Sequence, residues 1–264
     1  MLALKSPARG EDTLRFELML SADMLEQAHL YGSLVNSFDI NPNRLVMLAT
    51  ARQYYLLGWG GVAPFGKAVN GPVSAYAFTP DSQLMTIRNK ELCMFDDQGY
   101  LSVLFNLPND GMGIASGKNV MYVFDRQYGA QKYALYVIAP GGSYTKLVEV
   151  PTPITSIIEL NDKVVFSTGN RLFSFSVKTK EMSALAALPP NDIIKSVTAD
   201  VGGSVIYFST DNTVYVLRGS KVTVVTAKFS GILKYYGGGL IVFNPAQSFL
   251  IKIDGIESMA TDKK

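Results

Sequence analysis

The chain has 264 residues, 48% of them hydrophobic and 17% charged, with a formal net charge of +2. That apolar content excludes a disordered chain, and a charge so near neutral argues against nucleic acid, because phosphate binding needs a concentrated basic face. One cysteine, Cys93, excludes an internal disulfide and any Cys-cluster metal site; one histidine, His29, closes most routes to imidazole chemistry.

The opening residues, MLALKSPARGED, lack the long apolar core of an intact signal peptide. They suit either a cytoplasmic start or the mature start of an exported chain with an added Met. TLRFELML, residues 13–20, reads as a strand that belongs to no following unit. Residues 22–31, within ADMLEQAHLYG, read as a short linker helix with Asp23 as N-cap, Glu26 three residues later, and Gly32 as its end. His29 is expected to pack half-buried beside the next element.

From residue 33 to 256 the chain repeats itself. The last apolar residues of successive third strands are Leu57, Phe95, Ile138, Phe175, Leu217 and Ile251, in steps of 38, 43, 37, 42 and 34 residues. A period near 40 residues with four short alternating strands per unit predicts six four-stranded antiparallel blades. The second unit reads VSAYAF, QLMTIR, ELCMF and LSVLFNL; the third has a longer middle turn, RQYGAQK, between NVMYVFD and YALYVIA. The fourth reads ITSIIEL, KVVFST, RLFSFS and MSALAAL, and the fifth DIIKSVTAD, SVIYFST, NTVYVLR and KVTVVTA. Pro108, Pro151, Pro189 and Phe229 mark the ends of outer strands, where a proline interrupts no central ladder. The sixth unit, GILKYY, LIVFN and SFLIKI, is one strand short, so residues 13–20 are expected to complete it and close the ring. GGG at 237–239 is expected to be the turn between its first two strands.

This pattern resembles the β-propeller superfamily over nearly the whole chain, as a single all-β, six-bladed domain spanning 1–264. The Trp-Asp repeat signature is absent, with Trp59 alone in GWGG. The resemblance implies a fold and leaves the activity open.

Catalytic constellations are scarce. No G-x-S-x-G elbow accompanies His29, and Cys93 lies inside the apolar strand ELCMF as a buried, inert thiol. GGVAPFGKA, residues 60–68, has no helix behind it to form a phosphate cradle and reads as a turn and edge strand. Some six-bladed propeller enzymes place Glu, Asp and Asn around a channel metal, and the inner strands here offer Asp39, Glu159 and Asp200. Asp39 and Asp200 sit at strand ends, where Asp caps its own turn; Glu159 suits a cap or the channel.

The turns between second and third strands emerge together on one propeller face. They carry Arg52, Arg88, Lys90, Arg126, Lys132 and Arg171 on blades one to four, beside a neutral-to-acidic arc with Asp110, Asp192 and Asp211. Such a face suits an acidic protein surface or an anionic sugar; the same charges also suit solvated loops, partly neutralised by Glu91 and Asp125. Tyr54, Tyr55, Trp59, Tyr128, Tyr133 and Tyr144, in or beside blades one and three, offer contact platforms or inter-blade packing.

These features support a non-catalytic scaffold that docks another protein, alone or within a larger assembly, through that basic face, with no cofactor and no metal. No apolar run reaches the length of a membrane span. The alternatives are a carbohydrate or small-ligand binder at the central channel and a metal-dependent, lactonase-like hydrolase centred on Glu159. The low charge and the Thr, Tyr, Asn and Gly richness lean towards an extracytoplasmic location.

Overall fold

Alternating side chains separated by Gly, Asn and Asp turns give the chain a period of two, and almost every such run forms a strand. The computed structural model describes residues 13–31, 34–41, 43, 45–58, 61–65, 68–69, 73–96, 98–127, 131–139 and 142–257. The elements begin with β1 (Arg15–Leu20) and α1 (Ala22–Gln27). Blade one comprises β2 (Val35–Ile40), β3 (Val46–Thr50), β4 (Tyr54–Gly58) and β5 (Gly61–Phe65). Blade two is β6 (Ala75–Phe78), β7 (Leu84–Arg88), β8 (Glu91–Phe95) and β9 (Leu101–Asn106). Blade three follows with β10 (Gly111–Ser116), β11 (Met121–Gln127), β12 (Lys132–Ile138) and β13 (Tyr144–Val150). Blade four is β14 (Ile154–Leu160), β15 (Lys163–Thr168), β16 (Arg171–Ser176) and β17 (Met182–Ala187). Blade five is β18 (Ser196–Ala199), β19 (Val205–Ser209), β20 (Val214–Arg218) and β21 (Lys221–Thr226). Blade six contributes β22 (Ile232–Tyr236), β23 (Gly239–Asn244) and β24 (Phe249–Asp254).

Each blade is a four-stranded antiparallel meander, and the sixth has the order β1-β24-β23-β22. The N-terminal strand therefore supplies its outer strand, with Arg15 opposite Asp254 and Phe16 opposite Ile253. This closes the six-bladed propeller through main-chain hydrogen bonds between the two ends of the chain. In blade four all four expected strands form in register, with Lys163 facing Ser176 and Thr168 facing Arg171.

The inner strands β2, β6, β10, β14, β18 and β22 surround a central channel. Several are tied to their neighbours by short side chains that accept a backbone amide from the next blade. Ser37 Oγ accepts from Tyr76 N (3.1 Å), Ser156 Oγ from Val197 N (3.0 Å), Ser196 Oγ from Leu233 N (2.9 Å) and Thr198 Oγ1 from Tyr235 N (3.0 Å). These bonds satisfy amides that the sheet ladder leaves over on the inner edge. Blade three uses a different device. A Cβ on Gly113 would sit 1.9 Å from the Phe124 ring, so the bare backbone lets that ring lie against β10 and reach the channel wall.

The core consists of separate clusters between blades. Leu25 and Leu30 seal the junction of blades six and one against Leu20, Phe38, Leu48, Phe243 and Leu250. Three details differ from expectation here. The helix is shorter than 22–31, and its N-cap is Ser21, whose side chain accepts from Met24 N at 3.3 Å, with Asp23 in the first turn. His29 lies beyond the helix, in the left-handed region (φ 53°), and is exposed, because the helix stops at Gln27 and Leu30 takes the inward position. The expected end at Gly32 lies outside the described residues.

Two strand boundaries also moved. The inner strand of blade five starts at Ser196, not Asp192, because the preceding residues form the crossover, where Ile194 N donates to Gly169 O. In blade three the middle turn is shorter than RQYGAQK, since Arg126 pairs with Tyr133 and Gln127 with Lys132 in the ladder.

Candidate functional site

Because every blade is a meander, the second-to-third strand turns and the blade-to-blade crossovers share one face. The two are hydrogen-bonded together. Val69 N and Val73 N donate to Arg52 O and Ala51 O, Leu107 N and Gly111 N to Lys90 O and Asn89 O, and Leu188 N and Ile194 N to Asn170 O and Gly169 O. On blades one, two and four the backbone that carries the basic residues is thereby fixed by the crossover behind it.

The six cations of this face are not equivalent. Arg88, at the end of β7, places its guanidinium 2.6 Å from Glu91 Oε2. Lys132 lies 3.9 Å from Glu149, which is also bound by Lys146 at 2.7 Å. Arg52, Lys90, Arg126 and Arg171 are exposed and have no carboxylate partner among the described residues. Arg126, Lys132, Arg88 and Arg171 sit at strand ends, leaving Arg52 and Lys90 in the turns proper. Asp125 forms no ion pair with its neighbour Arg126 among the described residues. It is buried, 1% exposed, and accepts from Asn109 Nδ2 at 2.8 Å, so burial raises its carboxyl pKa despite that donor. On blade five the charge is paired, with Lys195 Nζ 3.5 Å from Asp211.

The channel is open, a cavity of about 670 Å³ lined by the inner strands and the first turns beyond them. Its three acids do not converge. Asp39 Oδ2 accepts from Phe78 N (2.8 Å) and Oδ1 from its neighbour Ile40 N (2.9 Å), while Lys234 Nζ approaches Oδ1 at 2.8 Å. Glu159 Oε2 accepts from Lys118 N at 2.5 Å, and the carboxylate also bonds the Tyr122 phenol, whose pKa is raised by burial and by that negative charge. Asp200 caps its own turn through Val205 N (2.8 Å) and Ser204 Oγ (2.9 Å). Among the described residues, no three His, Cys, Asp or Glu side chains are grouped as metal ligands.

Cys93 is fully buried, and burial pushes its thiol pKa up. The aromatic residues divide between packing and surface. Tyr54 is buried against Phe65, Tyr76 and Phe95, whereas Tyr144 is 47% exposed with edge contacts to Phe105 and Tyr136. Trp59 and Tyr128 lie outside the described residues. Sequence reasoning missed Lys234 as a cation of the channel wall and the inter-blade hydroxyl ties. The alternation Ser37-x-Asp39 and Ser196-x-Thr198 on inner strands was the signal for the ties.

No protein-family profile and no curated protein matches this chain. Its fold is similar to a gluconolactonase from Xanthomonas campestris, with TM-score 0.72 and 11% identity over 91% of this chain and 89% of that one. It is also similar to hydrazine synthase from Kuenenia stuttgartiensis, with TM-score 0.65 and 10% identity over 82% of each chain. A third likeness is to the extracellular domain of a protein from B. thetaiotaomicron described as a one-component system, with TM-score 0.61 and 17% identity. That match covers 83% of this chain and only 32% of the other. At these identities the likeness is one of fold, and it spans proteins of unrelated activity. No helix among the described residues is long and apolar enough to cross a membrane.

Proposed function

We propose that this chain is a non-catalytic binding module that docks an acidic surface of another protein through the face of the second-to-third strand turns. The observation that carries this reading is the set of four exposed cations, Arg52, Lys90, Arg126 and Arg171, which lack carboxylate partners among the described residues. They span four successive blades, and crossover hydrogen bonds fix the turns of three of them. Charges arranged in this way accelerate encounter and select partners more than they add affinity, and their effect falls with salt. The test is stoichiometric partner capture from the source cells by wild type and by a variant carrying Arg52→Glu, Lys90→Glu, Arg126→Glu and Arg171→Glu. The reading requires a partner that is released by raised salt and lost in the variant, at unchanged melting temperature. A partner retained by the variant overturns it.

A second reading, a carbohydrate or other small polar ligand in the channel, is favoured by one observation. Lys234 lines an open cavity with a side chain 38% exposed, and its ammonium is ion-paired to Asp39 at 2.8 Å. Calorimetric titration of sugar acids into wild type and Lys234→Met tests this reading, which fails if binding is absent or unchanged by the substitution. A hydrolase centred on Glu159 has less support, because that carboxylate is tied to the Lys118 amide and the Tyr122 phenol.

A further inference from the structure

Five of the six buried clusters between blades contain at least one buried aromatic ring: Tyr207, Phe38 with Phe243, Tyr54 with Phe95, Phe124 with Phe166, and Phe208 with Tyr215. The cluster between blades two and three has no fully buried ring, being built from Ala77, Met85, Ile87, Leu92, Leu107, Met121, Val123 and Ile138, with the partly buried Phe105 packed against it. Beside it lies a second cavity, of about 880 Å³, opening on the face opposite the basic residues. Met85, Met94, Phe105, Met121 and Ile138 line this cavity and belong to, or pack on, that cluster. The void is thus continuous with an inter-blade core whose ring, Phe105, is only partly buried and stands at the cavity wall.

The lining is suited to a ligand. Methionine side chains are flexible and polarisable and repack around varied apolar shapes. The volume falls within the range of small-molecule pockets, roughly 300–1,000 Å³. At the mouth, Lys118 stands in the turn between β10 and β11, its backbone fixed by the bond from its amide to Glu159. Its ammonium has no carboxylate partner among the described residues. On the other lip, Asp81 accepts from Thr79 Oγ1, so blade two presents a negative charge and blade three a positive one. An anionic head is therefore drawn to the blade-three lip and kept from the blade-two lip by Asp81.

We infer that the cavity between blades two and three binds an amphiphilic small molecule, its apolar body lying against the methionines and Phe105 and its anionic head pairing with Lys118. The site is separate from the docking face and from the channel, and stands or falls independently of either.

The experiment is calorimetric titration of decanoate, with decanol as its neutral counterpart, into the full chain and two variants. Ala139→Phe fills the cavity from the blade-three lip; Lys118→Glu reverses the charge at an exposed turn. Saturable one-to-one binding of decanoate by wild type is expected, abolished by Ala139→Phe and weakened about tenfold or more by Lys118→Glu. Decanol binding should survive Lys118→Glu. The inference is overturned if wild type shows no saturable binding, or if folded Ala139→Phe binds as wild type does. Should that variant not fold, Lys118→Glu decides alone: equal decanoate binding by it and by wild type refutes the assigned site.

Discussion

Replacing Asp39 with alanine tests whether side-chain acceptors hold the inner strands to one another. Asp39 is 8% exposed, accepts from Phe78 N in the adjacent blade and from Ile40 N, and is ion-paired with Lys234. Alanine leaves the Phe78 amide without its acceptor on a buried strand, at a cost of about 1–3 kcal/mol. Lys234 has a side chain 38% exposed, so the lost ion pair adds no more than about 1 kcal/mol. The expected loss is therefore about 1–4 kcal/mol, a fall in melting temperature of roughly 2–15 °C for a chain of this size. Asp39→Asn keeps a carbonyl oxygen for the amide and should recover more than half of it. Urea unfolding followed by circular dichroism measures both variants, and a cycle with Lys234→Met isolates the pair, expected at about 1 kcal/mol or less. An Asp39→Ala protein within about 0.5 kcal/mol of wild type, or an Asn variant no better than Ala, would refute the reasoning.

Gly113→Ala should destabilise by about 1–3 kcal/mol or more, because its Cβ would lie 1.9 Å from the Phe124 ring. Adding Phe124→Leu should recover part of the loss, and denaturant midpoints that do not respond to the second change count against that packing. Asp125 gives a pH-dependent effect. Burial raises its carboxyl above the ordinary value of 3.8, so the native state binds more protons than the unfolded chain between those two values. Stability from this group therefore falls as pH rises through that window. The stability of Asp125→Asn minus that of wild type should accordingly grow from acid to neutral pH in parallel melts, and a flat difference refutes the assignment.

What the sequence determined by itself is the repeat, and with it the fold. Strand alternation and turn residues act over a few neighbours, which is why KVVFST and RLFSFS could be placed to the residue as β15 and β16. Ring closure was legible for a related reason, since residues 13–20 formed a strand without a blade and the last blade lacked one. Competing local signals account for the misses: Ser21 and Asp23 both suit an N-cap, and only the path of the chain into Leu25 and Leu30 selects Ser21. The candidate sites depended on distance in space. Six basic residues were visible in the sequence, and so was Glu91 as the neutraliser of Arg88 three residues away, but Glu149 lying near Lys132 depends on how strands align. Asp39 meets Lys234 because closing the ring sets blade six beside blade one. The cavity between blades two and three is a shortage of side-chain volume summed over two sheets. Local pattern determines which residues point inward; only the packed ring determines what each of them meets there.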